Sequence, residues 1–95
     1  MTFGIVAGTV VGTNRSDEIE GATFLLVQAC DRALAPKDNY LVALDLVGAG
    51  RGEVVLISQG SSARQTEKTF EKPIDALIIG IVDSVTVRGT VVFRK

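Results

Sequence analysis

The chain has no histidine and no tryptophan. Without histidine it lacks the side chain that most often acts as a general base near neutral pH and most often ligates metals. Its single cysteine, Cys30, permits no intrachain disulfide, and without histidine beside it there is no thiolate or imidazole zinc site. Aromatic residues are 5% of the chain, too few for the stacking surface on which single-stranded nucleic acid binds. Charge of either sign is also scarce as a patch. Ten Lys and Arg against eleven Asp and Glu give a formal net charge of -1, with no general pull toward nucleic acid or anionic lipid. Met1-Thr2-Phe3 lacks the basic segment of a secretory signal. Apolar runs are broken well before the roughly 18 residues that a membrane helix needs. These absences point to a reducing, cytoplasmic setting, with neither nucleic acid nor membrane as partner, and call for no cofactor or metal.

What the chain does have is apolar residues, 46% of 95, in short β-branched runs separated by turn residues. Ninety-five residues make one domain, 1–95. Strands are expected over Phe3–Thr13, Ala22–Cys30, Tyr40–Val47, Glu53–Gln59 and Ala76–Val87, with a short terminal strand over Val91–Phe93. Pro36, Lys37, Asp38 and Asn39 read as the loop before the third strand. Gly4, Gly8 and Gly12 fall on one face at period two. A short helix is expected after Gly60-Ser61-Ser62, where Ser62 and Gln65 have the spacing of a capping box and Pro73 sets a limit. Five or six strands with one small helix suggest a small barrel or sandwich.

The strands at 22–30 and 76–82 carry apolar residues on both faces: Phe24 and Leu26 on one, Leu25 and Val27 on the other. A half-exposed antiparallel strand alternates apolar with polar. One short helix cannot cover the second face of a barrel this small, so another copy of the chain is expected to cover it.

Glycine is densest in Gly48-Ala49-Gly50-Arg51-Gly52, which leads through Glu53 into a strand. It is neither the dinucleotide fingerprint, which opens a helix, nor a phosphate loop. It fits a close approach of backbones or a plain hairpin turn. Asp45, Glu53, Asp75 and Asp83 lie at strand ends; Asp45 and Glu53, flanking the loop, are the one pair worth following as an acid–base couple. Partnership with Arg51 or Arg64, or a turn cap, is the more ordinary reading. Gly60, Ser61 and Ser62 with Arg64 form either a capped helix start or an anion site.

Several blocks occur in order: Gly8-Thr-Val-Val-Gly-Thr13, Leu25-Leu-Val-Gln28, Val42-Ala-Leu-Asp45, Val47-Gly-Ala-Gly-Arg-Gly-Glu-Val-Val55, Gly60-Ser-Ser-Ala-Arg64, Pro73-Ile-Asp-Ala76 and Gly80-Ile-Val-Asp83. Together they resemble the EutN/CcmL family of bacterial microcompartment vertex proteins, from about Ile5 to about Val87. The resemblance implies an OB-like five-stranded β-barrel with one short α-helix, assembled as a homopentamer. It implies a structural, non-enzymatic role at the five-fold vertices of a shell whose other tiles are hexameric shell proteins. Under it, Gly48, Ala49, Gly50, Arg51, Gly52 and Glu53 become the candidate axial loop, with Arg51 and Glu53 setting its charge. Gly60, Ser61, Ser62 and Arg64 become a candidate structural turn or subunit contact. Leu46 departs from the small hydroxyl residue expected at its position, and Arg88–Lys95 matches least. The alternative is a small ligand- or single-strand-binding barrel.

Overall fold

The computed structural model describes residues 1–11, 23–31, 33–59 and 76–95. Seven strands follow one another: β1 (Thr2–Val10), β2 (Phe24–Cys30), β3 (Pro36–Asp45), β4 (Val54–Gln59), β5 (Ala76–Ile81), β6 (Ser84–Val87) and β7 (Thr90–Arg94). The first five close a barrel in the order β1-β2-β3-β5-β4, and β6 pairs with β7 as a separate two-stranded sheet. All barrel pairings are antiparallel except β3 with β5, which run parallel through Leu44–Leu77 and Asp45–Ile78. The expected OB-like five-stranded barrel is therefore present. The expected helix, and with it Gly60, Ser61, Ser62, Arg64 and Asp75, lies outside the described residues.

Alternation along the strands builds the interior. Val6, Leu25, Val27, Ala43, Val55, Ile57, Ala76 and Ile78 form one buried cluster, with Leu41 and Ala49 packed against it. Space inside is tight. A Cβ on Gly4 would collide with Val27 Cγ1 and come within 2.7 Å of Ile57 Cδ1. Gly4 thus occupies a core position where even one methyl group has no room.

The outer face corrects the expectation that only a second copy covers it. Leu44 and Leu77 are buried within the single chain, packed with the half-buried Phe24, Leu46 and Ile79. Leu46, unexpected from the family blocks, thus extends this apolar cluster. The remaining outer surface is different: Tyr40 and Val42 on β3 and Val10 on β1 are exposed.

Strand limits and register also differ from expectation. β3 starts at Pro36, because after a bulge Cys30 pairs with Pro36 and continues the β2–β3 ladder. Asp31 makes this connection short: its Oδ1 accepts hydrogen bonds from the N–H groups of Ala33 and Ala35 at 2.9 and 3.0 Å. The single strand expected over Ala76–Val87 breaks after Ile81, and its second half leaves the barrel to pair with β7. In β1 the register shifts between Val6 and Gly8. That bulge at Ala7 turns Gly8 outward beside Leu26 while Gly4 faces the core, so the two glycines do not share a face; Gly12 lies outside the described residues.

Candidate functional site

The glycine loop lies at one end of the barrel, between β3 and β4. Asp45, the last residue of β3, organises its first half. Asp45 Oδ1 accepts hydrogen bonds from the backbone N–H groups of Val47 at 3.0 Å and Gly48 at 3.1 Å. Ala49 N–H reaches both carboxylate oxygens, at 3.3 and 3.1 Å. One carboxylate thus serves three successive donors that the turn would otherwise leave to water. The turn brings Ala49 down against the core cluster.

The second half is tied to β1. Gly52 N–H donates to Val6 O at 2.8 Å, and Val6 N–H donates to Glu53 O at 3.0 Å, continuing the β1–β4 ladder by one step. Gly48 and Gly52 have φ of 74° and 87°, in the left-handed region that side chains with a Cβ disfavour. At Gly50, Glu53 Oε1 accepts the N–H at 2.6 Å, and a Cβ there would stand 3.3 Å from the same oxygen, a contact that a small shift of the Glu53 side chain relieves. The turn reading therefore accounts for Gly48 and Gly52 within one chain.

Glu53 does not stand beside Arg51 as an open charge. Its other oxygen, Oε2, accepts a hydrogen bond from Lys95 Nζ at 2.6 Å. The Lys95 ammonium, and after it the Gly50 N–H, hold the Glu53 carboxyl below its ordinary range. Reciprocally, the hydrogen bond to Glu53 and its charge hold the Lys95 ammonium above its ordinary range. Within one chain Lys95 offsets the charge of Glu53 and leaves the exposed Arg51 as the loop's outward cation.

The same geometry bears on acid–base chemistry. Asp45 uses both carboxylate oxygens on its own loop, and Glu53 uses both on Gly50 and Lys95. A carboxylate that must take a substrate proton has to present an oxygen to the substrate, and neither is arranged to do so. Beside the loop, a depression of about 380 Å³ opens between the β1 bulge at Ala7 and the backbone of Gly50 and Arg51. Among the described residues that line it, Arg51 is the one with a charged side chain.

Elsewhere, Cys30 is buried at the end of β2. Burial first, and the neighbouring Asp31 charge second, push its thiol above the ordinary range. It is a core residue and not a nucleophile in waiting. Sequence reading missed the part played by Lys95, because nothing local links it to a residue 42 positions earlier.

The comparisons with known proteins agree with one another. The family described as "Ethanolamine utilisation protein EutN/carboxysome" matches residues 1–83. The carboxysome shell vertex protein CcmL of Gloeobacter violaceus is 44% identical over 95 residues, all of this chain and 95% of the relative. The microcompartment shell vertex protein EutN of Escherichia coli K12 is 41% identical over the whole of both chains. Among solved structures, Gloeobacter violaceus CcmL superposes with a TM-score of 0.94 at 44% identity, covering 100% of this chain and 98% of that one. The GrpN pentameric microcompartment shell protein of Rhodospirillum rubrum gives a TM-score of 0.83 at 42% identity, covering 92% and 99%. On fold, on sequence and on the conserved length of the match, this chain belongs to the EutN/CcmL family.

Proposed function

We propose that this chain is a structural shell protein, residues 1–95 acting as one domain, that assembles as a homopentamer and caps the five-fold vertices of a bacterial microcompartment. Full-length similarity to proteins named as shell vertex components carries the reading, together with the pentameric description of the GrpN relative. Its work is geometric. Five copies close a ring, and the rim of that ring meets the hexameric shell proteins that tile the facets. The engagement of Asp45 and Glu53 within their own loop supports a role without catalysis.

Within the pentamer the loop Gly48–Glu53 is placed nearest the five-fold axis. The exposed Arg51 at its tip and the open space around Gly48 and Gly52 leave room for neighbouring loops. Gly60, Ser61, Ser62 and Arg64 are assigned to a supporting turn or subunit contact.

Native mass spectrometry of the purified protein tests the assembly. A discrete species at five times the 10.0 kDa chain is the expected result, and a monomer removes the vertex reading. Placement of the loop is tested separately with Arg51→Cys in a Cys30→Ala background. A short bismaleimide should join loop to loop in the pentamer; no cross-link in an intact pentamer moves this loop away from the axis.

A further inference from the structure

Two outward apolar patches remain on the described surface after the fold has been accounted for. The first is the wall formed by β1, β2 and β3. Register aligns Gly8, Leu26 and Val42 in one cross-strand row and Ile5, Gln28 and Tyr40 in the next. Val42 is 49% exposed and Tyr40 54%, and outward-facing Gly8 leaves a notch with nothing within 4 Å of where its Cβ would lie. The second patch is on the β6–β7 hairpin, where Val91 and Val92 are 44% and 46% exposed; Val91 lies opposite Thr86, on the other face of the ribbon from Val87 and its partner Thr90. A two-stranded sheet alone is marginally stable in water and normally rests on another surface. The hairpin's described polar ties to the rest of the chain are at its base, through Lys95 to Asp83 O and to Glu53.

We propose that the ring contact joins these two patches: the β1–β2–β3 wall of one copy, centred on Val42, receives the β6–β7 hairpin of the next, centred on Val91. The inference rests on the pentameric reading above. Neighbours in a five-membered ring are related by a five-fold rotation and by no two-fold axis, so each contact must join two different patches. The wall and the hairpin are such a pair. They belong to separate sheets of one chain, and both present β-branched side chains that pack well face to face. Their union also removes from water two apolar areas that an isolated chain leaves exposed.

The test uses the full chain with Val42→Cys and Val91→Cys together in a Cys30→Ala background, treated with a short bismaleimide. Denaturing electrophoresis should show a covalent ladder reaching five chains, while either single-cysteine variant remains at one chain. A pentamer by native mass that gives no ladder overturns this contact and leaves the vertex reading standing. Dimers from Val42→Cys alone also overturn it, because they place wall against wall. Absence of any pentamer before cross-linking removes the vertex reading, and this contact with it.

Discussion

Lys95 Nζ lies 2.6 Å from Glu53 Oε2, across 42 positions of sequence, and ties the base of the C-terminal hairpin to the glycine loop. Glu53 passes the connection on through its other oxygen to Gly50 N–H at 2.6 Å. One exposed ion pair thus links the glycine loop to the base of the hairpin.

This pairing gives a pH signature. Glu53 has a lowered pKa in the fold, so it adds stability above the ordinary glutamate pKa, about 4.3, and loses it as pH falls through the folded value. Lys95 has a raised pKa, so its share is present below the ordinary lysine pKa, about 10.4, and is lost as pH rises through the folded value. Thermal melts should show wild type above Lys95→Gln near neutrality, with the gap closing at both extremes. Both groups are partly open to solvent, so the gap should be small and should shrink in high salt. A gap that persists unchanged at low pH would remove Glu53 as the partner that matters.

Gly4→Ala should destabilise the barrel by about 1–3 kcal/mol, the usual cost of overpacking a filled core. The added methyl meets Val27 and Ile57, both fully buried on the two strands that flank β1. Urea denaturation provides the measurement. Gly8→Ala serves as the comparison, because open space surrounds that position, and it should cost clearly less.

Asp45→Ala removes the acceptor for three consecutive N–H groups. Partial solvent access softens the loss, and about 1–2 kcal/mol is expected from the usual cost of unmaking such bonds. Hydrogen exchange should speed up at Val47, Gly48 and Ala49 in particular. Unchanged exchange at those three amides would show that the carboxylate does not hold the loop.

Arg88 and Gly89 form the two-residue connection of the hairpin, with φ of 51° and 81°. Two successive positive values mark the type I′ turn, whose preferred first residue is asparagine. Arg88→Asn should therefore stabilise the hairpin, raising overall stability by about 0.5 kcal/mol if half the left-handed penalty is relieved. Differential scanning calorimetry would read this as a small rise in Tm. No rise would mean that the Arg88 side chain has contacts that offset its backbone strain.

Much of the architecture was legible along the chain. Short β-branched runs marked the strands, the glycine-dense segment between Asp45 and Glu53 marked a turn, and the ordered blocks from Gly8 to Asp83 carried the family. These are local signals, set by backbone sterics and by the period of two with which strand side chains change face. The tertiary structure alone decided the rest. The bulge at Ala7 put Gly4 inside and Gly8 outside; Pro36–Asn39 became strand because β2 was there to pair with them. The run after Ile81 left the barrel, and Leu44 and Leu77 were covered without a second copy. Lys95, in place of Arg51, became the partner of Glu53. Each of these depends on which strand lies alongside which, and in a barrel closed by a parallel β3–β5 pair that is settled by contacts between residues distant in sequence. A pattern of neighbouring residues fixes where a strand can form; only closure of the sheet fixes its register, its ends and the side chains it brings together.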